Sequence, residues 1–292
     1  MPFFLRISKI YTWVLCAICL IFSVTAEATE GGGSNYLPGF YGDFSMATLP
    51  DQGTFFNNFF AAYQDTQAQT GALLEMPGIL HVTGQKFVDA NFFVALFPAV
   101  MAIKDSTGNN NLDRVGLGDF YVVPAGLSWK TEHFSAMLFE GVVAPTGRYA
   151  ANDFNIGRNY WTFDHNLLLT WNIPYANEIS LGIGYMNNLE NPSTRYRSGD
   201  EFHLDFTLGH YVASEFAVGL TGSYYQQTTA DAAPLGQPLN VTGQAATLGP
   251  VLMYSPKING QDVAFSLKWL REYTATGREM QEYLVFRIFL PL

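Results

Sequence analysis

From about residue 54 to the C-terminus, apolar residues recur at every second position, and no helical period competes with that pattern. Ile179, Leu181, Ile183 and Tyr185 alternate with Ser180, Gly182, Gly184 and Met186. Val263, Phe265, Leu267 and Trp269 alternate with Asp262, Ala264, Ser266 and Lys268. Leu284, Phe286, Ile288, Leu290 and Leu292 close the chain in alternation with Tyr283, Val285, Arg287, Phe289 and Pro291. Side chains of a strand point to opposite faces in turn, so each segment is a strand with one apolar face. Twelve strands are expected: 54–63, 79–87, 90–103, 116–129, 132–144, 159–171, 178–187, 200–211, 215–227, 243–255, 261–271 and 280–292.

The connections alternate in length. Long ones are read at Gln64–Gly78, Lys104–Arg114, 145–158, 188–199 and 228–242, with Glu272–Glu279 more modest. Short ones are read at Val88-Asp89, Val212–Ser214 and Ser255–Gly260, and Asn172–Asn177 is intermediate. Strands of about ten residues, even in number, with long and short turns in alternation, describe a transmembrane antiparallel β-barrel. A soluble sandwich shares the alternating strands but not the regular loop pattern, nor an export signal.

That signal is visible. Arg6 and Lys9 precede the apolar run Thr12–Val24, and Ala26-Glu27-Ala28 fits a small-x-small cleavage site. The expected organisation is a signal peptide at 1–28, an N-terminal periplasmic or plug segment at 29–53, and an outer-membrane barrel at 54–292. Both cysteines, Cys16 and Cys19, fall in the signal, so the mature barrel is expected to hold no disulfide. Loss of Arg6, Lys9 and Glu27 takes the net charge from −10 to −11. An acidic chain without a basic cluster excludes nucleic acid as a partner. After residue 30 no run of apolar residues is long enough for a spanning helix.

Two strands fit the pattern poorly. His165 shares a face with Trp161, Phe163, Leu167 and Leu169, so a bulge or reversed facing is expected there. If Ala144 pairs with Asn159, His165 lies opposite Leu138. Gly116–Trp129 is apolar on both faces.

The stretches GRNYWTFDHNLLLTW (157–171), YRSGDEFHLDFTLGHYV (196–212) and SYYQQTTAD (223–231) resemble the outer-membrane transporter family named for the meta-pathway of phenol degradation. So do ATEGGGSNYLPGFYGDF (28–44) and TFFNNFF (54–60). The resemblance covers nearly the whole mature chain. It implies an outer-membrane barrel that transports aromatic or other hydrophobic small molecules. Leu292 departs from the aromatic residue with which such barrels commonly end. The partners implied are outer-membrane lipid, small hydrophobic solutes and the barrel-assembly machinery.

No catalytic, metal or cofactor signature is present. There is no His-Glu-x-x-His, no Gly-x-Ser-x-Gly and no cysteine nucleophile, and Gly182-Ile183-Gly184 lacks the third glycine of a dinucleotide fingerprint at Asn187. No catalytic residue, metal or cofactor is therefore expected. The lumen-lining candidates are Asp164, His203, Asp205, Lys268 and Arg287. The rim candidates are Tyr196, Arg197, Asp200 and Glu201. Leu204 is expected to face hydrocarbon and Thr207 a hydrated lumen. In the segment 29–53, Tyr36, Phe40, Tyr41 and Phe44 are candidates for a plug that enters from the periplasm and turns back, with Glu30, Asp43 and Asp51 available to Lys268 or Arg287. The expected function is passive uptake of small hydrophobic, including aromatic, molecules. The alternative is a structural or surface-interaction barrel without transport.

Overall fold

The computed structural model of the protein describes residues 33–67, 69–106, 112–150, 155–233, 237–239 and 242–292. The expected signal at 1–28 with its two cysteines, and Glu30, lie outside the described residues. Twelve long strands follow one another: β1 Gly53–Asp65, β2 Thr70–Phe87, β3 Ala90–Phe97 continuing as Val100–Asp105, β4 Leu112–Leu117 continuing as Phe120–Lys130, β5 Phe134–Ala144, β6 Thr162–Ile173, β7 Asn177–Asn188, β8 Glu201–Ala213, β9 Phe216–Gln227, β10 Gln244–Tyr254, β11 Ala264–Thr276 and β12 Gln281–Pro291. Each pairs antiparallel with its sequence neighbours, and β1 also pairs with β12 from Phe55↔Pro291 to Asp65↔Gln281, which closes the sheet. The Leu292 amide donates to the Thr54 carbonyl at 2.9 Å and finishes that seam. Closure leaves no strand edge in hydrocarbon, the condition for a sheet to span a bilayer.

The outer surface has the layering a membrane demands. Phe134, Trp171, Phe216 and Tyr254 are exposed at the end that carries both barrel termini, and Trp161 and Tyr273 at the other. Between these aromatic girdles the exposed side chains include Leu138, Leu167, Leu220, Leu267 and Leu284. Leu204→Arg, on the outward face of β8, is expected to destabilise the barrel by about 2 kcal/mol, read as a lower denaturant midpoint for refolding into phospholipid vesicles. An unchanged midpoint would contradict the outward facing. Thr207 does not sit in a wet lumen: it is fully buried and donates to the Thr221 hydroxyl at 3.2 Å.

The connections differ from expectation in one place above all. Gln64–Gly78 is not a long loop, because β2 begins at Thr70 and only 66–69 turn the chain. Pro77 stands inside that strand opposite Asn58 of β1. On its other side it falls between the residues paired with Val100 and with Leu96, where β3 is interrupted at Pro98-Ala99. A missing N–H is tolerated where the neighbouring ladder is itself broken. Strand also reaches Asp105 and resumes at Leu112 within the Lys104–Arg114 connection, and residues 107–111 lie outside the described ones. The far-end connections at 145–161, 189–200 and 228–243 are long, and the last holds a small hairpin, Asp231–Ala233 against Gln237–Leu239. A tag inserted near Asn110 is expected to be labelled on intact cells, since that connection lies at the end opposite both barrel termini. Labelling only after permeabilisation would invert the topology.

Both awkward strands have physical explanations. In β4 the register shifts between Val122 and Ala125, with Pro124 exposed. Val123 is buried before the bulge, Gly126 and Ser128 after it, so the inward phase flips and both faces read apolar. β6 has no bulge against β5. His165 does face outward, but opposite Glu140 and not Leu138, because Thr162 pairs with Val143. Its Nδ1 lies 2.5 Å from the Glu140 carboxylate and its Nε2 3.0 Å from the Asn187 side-chain oxygen. The polar group is matched by its cross-strand neighbours.

Candidate functional site: the barrel interior

The inner wall is divided into two unlike halves. From β1 to β5 it is apolar: Phe59, Met76, Phe93, Phe97, Val123, Met137 and Phe139 are all buried there in one cluster. From β6 to β11 it is polar: Asp164, Thr170, Glu178, Ser180, His203, Asp205, Thr221, Ser223, Thr247, Ser266 and Lys268 are buried in turn around the ring. Buried polar groups need partners, and many of these find them on the segment that precedes β1.

Residues 33–52 run along this polar half. Ser34 donates to the Glu201 carboxylate, and the Asn35 amide donates to the Thr162 hydroxyl at 2.7 Å, both at the far end of the barrel. Tyr36 Oη donates to Asp205 at 2.9 Å, and Tyr41 Oη donates to Asp164 at 2.9 Å. Lower down, the Ser45 amide donates to Glu178 at 2.6 Å, the Ala47 amide to the Thr170 hydroxyl at 3.0 Å, and the Thr48 hydroxyl to Ser135 at 3.0 Å. The described part of the segment therefore passes from one end of the barrel to the other, and does not enter and turn back. Gly39 makes the necessary turn at φ +91°, where Leu270 and Val285 leave little room for a Cβ.

The His203–Asp205 pair lies at the centre of this contact. His203 Nε2 is 2.9 Å from Asp164 Oδ1, and its Nδ1 is 3.7 Å from Asp205 Oδ2. Its ring is stacked between Tyr36 and Tyr41, with centroids 4.5 and 5.4 Å away. Gly184 on β7 makes space for that ring: a Cβ there would come within 2.0 Å of His203 Nε2. Phe40 stacks on Phe59 at 4.7 Å, and Phe44 meets Tyr211 edge-on at 5.8 Å.

Lys268 and Arg287 converge on the segment from β11 and β12. Asp43 Oδ2 lies 3.4 Å from Lys268 Nζ, 3.4 Å from Arg287 Nη1 and 2.7 Å from the donating Ser266 hydroxyl. Lys268 also donates to the Gly39 carbonyl. Burial pushes the Asp43 carboxyl up, but Lys268 and Arg287, with the hydrogen bonds from Ser266 and the Phe44 amide, together hold it below the usual carboxylate range.

The four rim candidates do not act alike. Tyr196 donates to Asp231 across the external loops, and Arg197 donates to the Asn188 carbonyl at 3.1 Å and lies 3.5 Å from Asp200. Asp200 accepts from the Asn188 amide at 3.3 Å. Glu201 is not on the open rim: it is the first residue of β8, fully buried, and accepts from Ser34 and from Asn188.

Between the segment and the apolar half lies a cavity of about 400 Å³, lined largely by apolar side chains such as Phe40, Phe59, Met76, Phe93, Phe97, Met137 and Phe139, with Arg287, Asp43, Asn57 and Ser266 among its polar groups. Sequence reasoning named the inward charges but missed this apolar wall. Its signal is present in the sequence as Phe59, Met76, Phe93, Phe97 and Phe139. Because strands 1 to 5 are apolar on both faces, that signal cannot be separated from the lipid face. Among the described residues no three His, Cys, Asp or Glu side chains are placed to hold a metal ion.

Similarity to known proteins agrees with this architecture. The crystal structure of the COG4313 outer membrane channel from Pseudomonas putida F1 matches with a TM-score of 0.72 at 14% identity, covering 88% of this chain and all of that one. The KdgM porin matches at 0.48 with 10% identity over 82% of this chain and 99% of that one, and the CymD monoaromatic hydrocarbon channel at 0.42 with 8% identity over 82% and 89%. No curated protein sequence matches the chain. The model of the family described as "Putative MetA-pathway of phenol degradation" matches residues 57–288, from the middle of β1 to the middle of β12. The chain belongs to that family, as a closed twelve-stranded β-barrel of the bacterial outer membrane.

Proposed function

We propose that the barrel is a passive channel for small hydrophobic molecules, aromatic ones included, with the segment 29–53 acting as the plug that limits flow. The observation that carries this reading is the division of the lumen. The polar half is occupied by the N-terminal segment, and what remains is a space walled largely by phenylalanine and methionine. Such a space excludes strongly hydrated solutes and admits apolar ones. Family membership ties the chain to phenol degradation, and the fold is shared with an outer-membrane channel. Residues 1–28 are read as the cleaved export signal. Passage is read as diffusive. A barrel without transport is favoured by one observation, the run of hydrogen bonds that ties the segment across the lumen. Solute flux into proteoliposomes, measured with aromatic and sugar solutes side by side, decides between them: flux selective for the aromatics supports the channel, and no flux of either supports the closed structural barrel.

A further inference from the structure

We propose that the cavity is a binding site for small monocarboxylates with a ring-sized apolar body, and that the Arg287 guanidinium receives the carboxylate. The inference rests on the reading of the lumen as a solute path and names the solute class. Arg287 projects from β12 into a space otherwise lined mainly by apolar side chains, and its Cζ lies 5.4 Å from the ring centroids of both Phe59 and Phe289. The two rings hold the guanidinium by cation–π attraction. A guanidinium carries five N–H donors. Here Nε donates to the Asn57 side-chain oxygen at 2.8 Å, and Nη1 makes a long contact of 3.4 Å to Asp43. Among the described residues no hydrogen bond or ion pair takes Nη2. The fork geometry that matches a carboxylate is therefore only partly used.

Lys268 and Arg287, two cations, share the Asp43 carboxylate. Asp43 meets Arg287 at Nη1, so the Nη2 edge of the guanidinium is left to receive an anion brought by the solute. The cavity of about 400 Å³ lies in the size range of small-molecule sites. A neutral alcohol or hydrocarbon of the same shape fills the apolar part but offers the guanidinium no charged acceptor.

The test uses the full-length barrel purified in micelles, with benzoate and benzyl alcohol as probes in calorimetric titrations at neutral pH. Wild type is expected to bind benzoate saturably and about ten-fold or more tighter than benzyl alcohol, the worth of a charge-assisted hydrogen bond. Arg287→Met is expected to abolish that preference, and Arg287→Lys to keep part of it. Assembly of each variant is checked by heat-modifiable electrophoretic mobility. Equal affinities of the two probes for wild type, or an unchanged benzoate preference in an assembled Arg287→Met barrel, overturns the carboxylate site and leaves the apolar channel standing. Binding of neither probe to wild type removes the channel reading and this proposal together. Should the methionine variant not assemble, the wild-type preference and the lysine variant decide.

Discussion

Deleting residues 29–50 behind an intact export signal is expected to raise single-channel conductance several-fold and to relax the discrimination between apolar and polar solutes. The barrel ladder, including its β1–β12 seam, is complete without the segment, so the shortened chain retains what closure requires. What it loses is the lining of the polar half. Asp164, Glu178, His203, Asp205, Thr221 and Lys268 would face water in place of Tyr36, Tyr41, Asp43 and Ser45. Eight-stranded barrels are just filled by their own side chains, whereas those of about sixteen strands hold an aqueous channel. Twelve strands lie between, so a single threaded segment is enough to convert a wet pore into a narrow apolar one. An assembled deletion protein with wild-type conductance and selectivity would show that the gate lies in the external loops.

The architecture was legible in the sequence because one period dominates it. In β6 to β9 the inward positions are largely polar or small and the outward ones apolar, so strand extent and facing follow directly from alternation. Legibility failed where that contrast fails. In β2 the residues Pro77 and Gly78 look like turn formers, and only the break in β3 opposite Pro77 shows why they are tolerated within a strand. In β4 the bulge at Pro124 reverses the phase, and two correct half-patterns read together as no pattern. The interior posed a different problem. His203 and Asp205 could be placed inside the barrel by parity, but a parity argument cannot say what stands opposite them. The stacking of His203 between Tyr36 and Tyr41 joins residues more than 160 positions apart, and no local rule connects them. The apolar cavity was hidden for the same reason: Phe59, Phe93 and Phe139 look alike whether they face lipid or lumen.

Asp43→Asn is expected to release the segment at neutral pH and to yield conductance close to that of the deletion. In the docked state one carboxylate serves two cations, and Lys268 has no exposure to solvent. Removing one partner of a buried pair costs about 3–5 kcal/mol because the other charge is left uncompensated. Even the lower figure, about 3 kcal/mol, shifts the docking equilibrium roughly a hundred-fold. The pH dependence follows from the direction of the Asp43 shift. Burial alone would raise its pKa, but Lys268 and Arg287, with the hydrogen bonds from Ser266 and the Phe44 amide, lower it on balance. The docked segment thus prefers the ionised form more than the free segment does. That contribution to docking is complete above the ordinary carboxylate value of about 3.9 and is lost as the pH falls through the lower, docked value. The Asp43 contribution should therefore give the wild-type channel an opening step in acid below about pH 4, whereas Asp43→Asn should be open at neutral pH and lack that step. Adding Lys268→Met to Asp43→Asn should restore part of the closure, since it removes one of the two unmatched cations. Planar-bilayer recordings of the three proteins across this range test the argument, and a single Asp43→Asn variant that stays closed at neutral pH would show that the hydrogen bonds of Tyr36, Tyr41 and Ser45 hold the segment without this cluster.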